Sequence, residues 1–309
     1  MKRIRITGSA LLIGAILLGA GPVRGEYIGF KFNLATRSIG DDDINMWVGS
    51  LGRLWQDWKD TSGGRLDGEF SPLSYGAGLE IEMRIPLFAG LSLNLAGTRY
   101  SSQGEGTITL EDSGPTRNES QFIRNEVSAL PIKIGFSYSY SLPMLPKLSV
   151  VAQGGRSVTF ITYRSEDRYQ AYFQRPGRED IYQLERAGSY RSEALGYYIG
   201  LGVEFELVRF LALTADVENI WSSAAGFKGD FEETLLISQN GIVDENGSYT
   251  KDGSASLYFY QADPLGIGQM YDYLAAAKKR PDNPGIENIR QAELDFSHFS
   301  IKIGIRFKF

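Results

Sequence analysis

The chain of 309 residues contains no cysteine and a single histidine, His298. Without thiols there is neither a disulfide framework nor a thiolate metal site, and one imidazole cannot build a histidine-based metal cluster. No G-x-S-x-G elbow, phosphate-cradling glycine loop or metalloprotease signature occurs, so no cofactor and no metal are expected. Beyond the first 25 residues no run of 18 apolar side chains exists, which leaves no transmembrane helix. Basic residues are in deficit, 32 against 37 acidic. Nucleic acid is therefore not an expected partner, since phosphate contacts require clustered Lys and Arg.

What is present begins with a leader. Lys2, Arg3 and Arg5 precede an apolar run from Ala10 to Ala20, followed by small residues at Val23 and Gly25. That order describes a secretory signal peptide over residues 1–25, and the run is too short for a spanning anchor. Its removal leaves 28 basic against 37 acidic residues, a charge of −9, on a single domain from 26 to 309.

The dominant pattern after the leader has period two. The terminal FSIKIGIRFKF, Phe299–Phe309, places Phe299, Ile301, Ile303, Ile305, Phe307 and Phe309 on one face and Ser300, Lys302, Gly304, Arg306 and Lys308 on the other. Tyr75–Leu87, Leu130–Leu142 and Leu195–Leu207 repeat it, with fainter copies at Tyr27–Thr36, Leu91–Tyr100, Leu148–Tyr163 and Phe210–Ile220. A soluble sandwich also alternates. Here the apolar sets run for five to seven alternations, near the 9–11 residues of a tilted bilayer-crossing strand. Their opposite faces are rich in Gly and Ser, and Phe30, Tyr75, Tyr138, Tyr140, Tyr197, Phe205, Phe307 and Phe309 gather near the band ends like an interfacial girdle. Links between strands alternate strictly, short at 88–90, 143–146 and 208–209, long at about 37–71, 102–122, 164–193 and 221–291. Short periplasmic turns and long extracellular loops produce that alternation, with both termini periplasmic.

The leader, eight amphipathic strands, one-sided tight turns and a last strand ending on Phe309 resemble the small outer-membrane β-barrel proteins of the OmpA-barrel, OmpX and OmpW kind. The resemblance covers the strands, about half of the mature chain. It implies a closed antiparallel up-and-down barrel in the outer membrane of a diderm bacterium. It also implies outer-membrane lipid and lipopolysaccharide as surroundings, and Ile305, Phe307 and Phe309 as the signal read by the barrel-assembly machinery.

With the apolar faces outward, the inner faces carry Glu80, Glu82, Glu204, Glu206, Asp216 and Glu218 against Lys31, Arg84, Lys133, Lys302, Arg306 and Lys308. An eight-stranded barrel has room for little more than its own side chains, and buried charges persist only when paired. These twelve residues are therefore expected to plug the lumen as an ion-pair network; the alternative is an ion pathway. At Gly154-Gly155-Arg156 an arginine falls on the outward face, for which a bulge or a place near the rim is expected.

In the first long loop, Trp47, Leu51, Leu54, Trp55 and Trp58 recur at helical spacing behind Asp41–Asp43, which suit the N-terminal cap. The helix either covers the barrel mouth, lies in the membrane interface, or lines the way in for a hydrophobic ligand. In the fourth loop Asp263, Pro264, Lys278–Arg280 and Pro281 punctuate a second expected helix with Ile267, Met270, Tyr271 and Leu274 as its stripe. Asn240-Gly241 and Asn246-Gly247 mark a hairpin between 235–238 and 254–260; were those segments to enter the membrane, ten strands rather than eight would result.

His298 and Ser300 form an H-x-S pair like that of lipid A deacylase barrels. No acid follows Ser300, however, and the only acids nearby are Glu293 and Asp295. No catalytic residue is expected, since a base needs an orienting partner. The favoured reading is a non-enzymatic barrel whose loops serve surface interaction or envelope structure. Behind it stand binding or lateral passage of small hydrophobic compounds, as the resemblance implies, and lipid A modification.

Overall fold

The computed structural model describes residues 28–37, 43–73, 76–111 and 117–309. The expected leader, Asp41, Asp42 and Tyr75 lie outside them. In chain order the elements are β1 (Gly29–Arg37), α1 (Asp43–Ser62), β2 (Arg65–Phe70), β3 (Gly76–Phe88), β4 (Leu91–Glu111), β5 (Arg117–Leu142), β6 (Leu145–Arg175) and β7 (Arg178–Val208). They continue with β8 (Leu211–Ala225), β9 (Lys228–Gln239), β10 (Ile242–Val243), β11 (Tyr249–Ala262), β12 (Tyr271–Ala277), β13 (Ile286–Gln291), β14 (Glu293–Asp295) and β15 (His298–Lys308).

Eight of these strands close on themselves. Antiparallel ladders run β1–β3–β4–β5–β6–β7–β8–β15 and back to β1, so no edge is left in the ring. Closure depends on the chain ends: Phe30 lies opposite Phe307 and Leu34 opposite Ile303, and rings of Phe30–Phe309 and Phe32–Phe307 meet edge-on at 6.3 and 6.2 Å. Among the described residues the whole sheet has fifteen strands, more than either eight or ten. The reason is that the strands do not stop where their outer faces turn polar. β6 and β7 pair from Leu148–Phe205 to Arg175–Arg178 without a register shift, so 164–193 is mostly ladder with a tight turn at Pro176-Gly177.

Beyond the ring, β4 to β7 continue into a second, open sheet in the order β2–β4–β5–β6–β7–β9–β11–β12. β7 supports both tiers. Its residues 196–208 pair with β8 and its residues 180–191 with β9. Between β8 and β9 the chain bends at Gly226, whose φ of +73° is left-handed, and buries Phe227 completely. The open sheet has two edges, β2 and β12, and α1 packs against both, closing the gap with a helix instead of a strand.

The helix expected in the fourth loop is not there. Tyr271–Ala277 is β12, paired with β11 from Ser256–Ala277 to Ala262–Tyr271. Gly266 and Gly268 both take positive φ, +66° and +80°, which ends any helix begun at Pro264. Asp263 instead accepts the amides of Ile267 and Gly268 in a turn. Pairing with β11, including Tyr260 stacked on Tyr273 at 5.4 Å, outweighs the intrinsic helix preference of Leu274–Ala277. The expected bulge at Gly154-Gly155 is also absent, because the β5–β6 register is unbroken through Gly135–Gly155 and Ile134–Arg156. The glycines permit close strand approach instead: a Cβ on Gly155 would sit 2.2 Å from the Ile134 carbonyl oxygen. Arg156 is exposed on the outer face opposite Tyr197, whose ring stacks on Trp221 at 5.1 Å.

Candidate functional site

Alternation decides which side chains enter the ring. The odd positions of β7, β8 and β15 turn outward and leave Leu195, Ile199, Ile301 and Ile303 exposed, up to 80% for Leu195. Even positions of those strands turn inward. The twelve charged residues singled out above all fall on the inner face, and eleven ion pairs join them into two balanced groups, one of Glu80, Glu218, Lys133 and Lys302 and one of the other four acids and four bases.

In the first group, Lys302 Nζ lies 2.9 Å from Glu80 and 2.7 Å from Glu218. Lys133 bridges the same two carboxylates, 2.8 Å from Glu218. Lys31 contacts Asp216 and, at 3.8 Å, Glu82. Arg84 then links Glu82 at 3.0 Å to Glu204 at 3.2 Å, and Arg306 and Lys308 reach Glu204 at 2.9 and 3.3 Å. Lys308 also approaches Glu206, at 3.7 Å, where the network meets the short-turn end. Neutral groups fill the remaining lone pairs: Asn33 and Thr98 donate to Glu80 at 3.0 Å, and Gln153 to Glu218 at 3.4 Å. Multiple acceptor bonds to each buried carboxylate are what make its burial tolerable. Glycines make the room. A Cβ on Gly202 would meet Asp216 Oδ1 at 2.0 Å, and one on Gly135 would meet the Tyr198 hydroxyl at 2.6 Å.

Above the network, α1 fills the far-end chamber. Trp47, Leu51 and Trp55 are buried, and Leu54 and Trp58 are half-buried against the same cluster, which includes Ile108, Ile123, Ile161, Tyr163 and Phe227. The Trp55 indole donates to Gln121 at 2.9 Å, and the Arg117 guanidinium lies 4.6 Å over the Trp58 ring. Asp43 does not act as a simple cap: its carboxylate accepts from the Arg290 guanidinium and from the Glu293 amide at 2.7 Å. On the β12 side Ser50 donates to Asp272 at 2.9 Å and the Tyr271 hydroxyl to Asp57 at 2.7 Å.

Between α1 and the strands remains a cavity of about 190 Å³. Tyr163 stacks on Tyr190 at 6.0 Å on one wall, and the Tyr260–Tyr273 pair forms another. Asp167, Arg186 and Glu233 are its charged wall: Arg186 Nε donates to Glu233 at 2.7 Å and Nη1 lies 3.7 Å from Asp167. Burial pushes the Asp167 carboxyl up, against the opposing pull of the Gln121 amide, 2.7 Å away, and of Arg186. Sequence reasoning passed over these residues. The signal was the continued alternation through β6, where Tyr163, Asp167 and Tyr169 point inward between Arg164, Glu166 and Arg168.

His298 and Ser300 share the inner face, both buried. His298 Nδ1 lies 2.8 Å from the Phe296 carbonyl oxygen. The buried Ser300 hydroxyl has no hydrogen-bond partner among the described residues. Glu293 accepts from Ser223 and Asp295 from the Ser297 amide at 2.7 Å. Ile305 and Phe307 face outward on β15, and Phe309 is 72% exposed.

No protein-family model matches the chain, and no curated protein matches it. Among solved structures it is similar to the outer membrane protein OprG from Pseudomonas aeruginosa, at 11% identity and TM-score 0.36, covering 93% of this chain and 99% of that one. A major outer membrane protein from Thermus thermophilus follows at 12% identity and TM-score 0.35, covering 91% and 99%. The toluene transporter TbuX from Ralstonia pickettii is matched at 8% identity and TM-score 0.17, covering 93% and 90%.

Proposed function

We propose that the eight-stranded ring spans the outer membrane as a sealed, non-enzymatic barrel that holds a structured extracellular cup. The cup is built of α1 and the open sheet and serves contact with other molecules at the cell surface. The single observation that carries the reading is the pairing of an exposed apolar outer face with an inner face filled by twelve charged side chains in two balanced ion-pair groups. Along β7, Leu195 to Leu207 is about 40 Å of strand at ~3.3 Å per residue. A tilt of roughly 40° reduces this to about 30 Å, enough for an outer-membrane apolar band. On this reading both termini and the short turns are periplasmic, the open sheet and helix are extracellular, and Tyr197, Trp221 and Arg156 sit toward the outer interface. Ile305, Phe307 and Phe309 then serve as the assembly signal.

The test uses the mature chain refolded in detergent. Faster gel migration before boiling than after, together with no steady conductance in a planar bilayer, is the expected result. Identical migration in both states overturns the closed barrel, and a stable open conductance overturns the sealed interior.

A further inference from the structure

The far-end cavity lies outside the ion-pair network and has a chemistry of its own. Six of its lining residues are aromatic: Trp47, Tyr163, Tyr190, Phe231, Tyr260 and Tyr273. Its charged groups are Asp167, Glu233, Arg186 and, at the border with the exterior, Glu232, three carboxylates to one guanidinium. That guanidinium is already committed to Glu233 and Asp167. An anionic ligand would find no unengaged base there. A neutral hydrocarbon would make no use of the excess of carboxylates, three against the single Arg186. A cation would gain both the acid surplus and the aromatic faces, which attract ammonium groups.

Size sets a second bound. A cavity of about 190 Å³ compares with the roughly 150 Å³ apolar cavity that accepts benzene, so one ring or a short aliphatic body fits. The cavity adjoins a wider surface cleft of about 750 Å³, sharing Ser165, Ala187, Phe231 and Glu232 with it. Carboxylates outnumber guanidiniums five to two in that cleft, so the approach is also selective for positive charge.

We propose that this cavity is a binding site for a small organic cation, its ammonium head at Asp167 and its body among the stacked tyrosines. The site belongs to the cup alone and does not depend on whether the ring conducts.

Calorimetric titration of the refolded mature chain with 2-phenylethylammonium, and with 2-phenylethanol and phenylacetate as neutral and anionic counterparts, tests it. Tryptophan fluorescence is recorded in parallel. Saturable binding of the ammonium compound at least tenfold tighter than either counterpart is expected. Asp167→Asn should weaken it at least tenfold, since it removes the charge while keeping an acceptor for Gln121. Tyr260→Leu, on a different strand, should weaken it as well and guards against a folding defect in the first variant. Equal binding of the alcohol, unchanged affinity in Asp167→Asn, or no saturable binding to the unaltered chain overturns the proposal. Such a failure with the heat-dependent gel shift intact leaves the sealed-barrel reading standing.

Discussion

Replacing Lys302 by Met is the most direct probe of the ring interior. The Nζ of Lys302 is fully buried and sits between Glu80 at 2.9 Å and Glu218 at 2.7 Å. Methionine keeps nearly all of the volume, so the cavity term that accompanies truncation is small. What remains is electrostatic. Two carboxylates that shared two ammonium groups are left with Lys133 alone, and the sealed interior acquires one uncompensated negative charge. Breaking a buried pair from one side typically costs about 3–5 kcal/mol, most of it the exposure of the surviving charge to a dry environment. Urea unfolding of the refolded barrel, followed by loss of its fast-migrating form, should show a destabilisation of that size. Adding Glu218→Gln to Lys302→Met restores local neutrality, with Lys133 facing Glu80 alone, and should recover more than half of the loss. A single variant within about 1 kcal/mol of the parent would show that water reaches the network and that the interior is not a dry plug. Failure of the double variant to recover would show that the lysine acts through packing rather than charge.

Three further outcomes follow from the same geometry. Gly135→Val should abolish the heat-dependent gel shift, because its Cβ would meet the Gly154 carbonyl oxygen at 2.2 Å, a backbone clash beyond the usual ~1–3 kcal/mol of overpacking. Trp55→Ala, which removes a buried indole and its bond to Gln121, should cost about 3–5 kcal/mol locally. Hydrogen exchange over α1 should then accelerate while β1 and β15 stay protected, and equal protection of α1 would refute its role as the cup's lid. Asp43→Asn should weaken the latch to Arg290 and the Glu293 amide by about 1–3 kcal/mol, read as faster tryptic cleavage after Arg290; unchanged cleavage would show that the segment is held by β13 and β14 alone.

How much of this was legible in the sequence depends on which face carried the information. Wherever one face was apolar, as in Phe299–Phe309 or Leu195–Leu207, period two located the strand and sorted its charges to the correct side. The same rule went silent where β4 to β7 leave the apolar band, because both faces then carry polar residues and only the tyrosine–charge alternation of Tyr163 to Tyr169 persists. In α1 the spacing of Trp47, Leu51, Leu54, Trp55 and Trp58 was enough, since one face had to be buried whatever the partner. At 263–280 punctuation by Asp, Pro and Lys outweighed Gly266 and Gly268 in the reading. In the folded chain the glycines and the waiting edge of β11 decide the matter. The cavity was not legible at all, because Asp167, Arg186 and Glu233 come from three different strands and meet only through register.

On the proposed outer-membrane reading, the charged interior also bears on how such a chain can be exported. An apolar interior of equal volume would be at least as stable as an ion-pair network, so stability alone does not explain twelve buried charges. Strands apolar on both faces, however, would read as continuous hydrophobic runs of thirteen or more residues, approaching the length that inserts as a helix. Charged, polar or small residues at alternate positions keep the strands of the ring far from that limit before folding. The charges are also distributed unevenly over the strands: β3 carries Glu80, Glu82 and Arg84, β8 carries Asp216 and Glu218, and β15 carries Lys302, Arg306 and Lys308. Neutrality is reached only when β15, the last strand made, closes between β1 and β8 and brings Lys302 to Glu80 and Glu218. The network thus ties burial of charge to ring closure, and an incompletely closed sheet is penalised by the unmatched acids of β3 and β8.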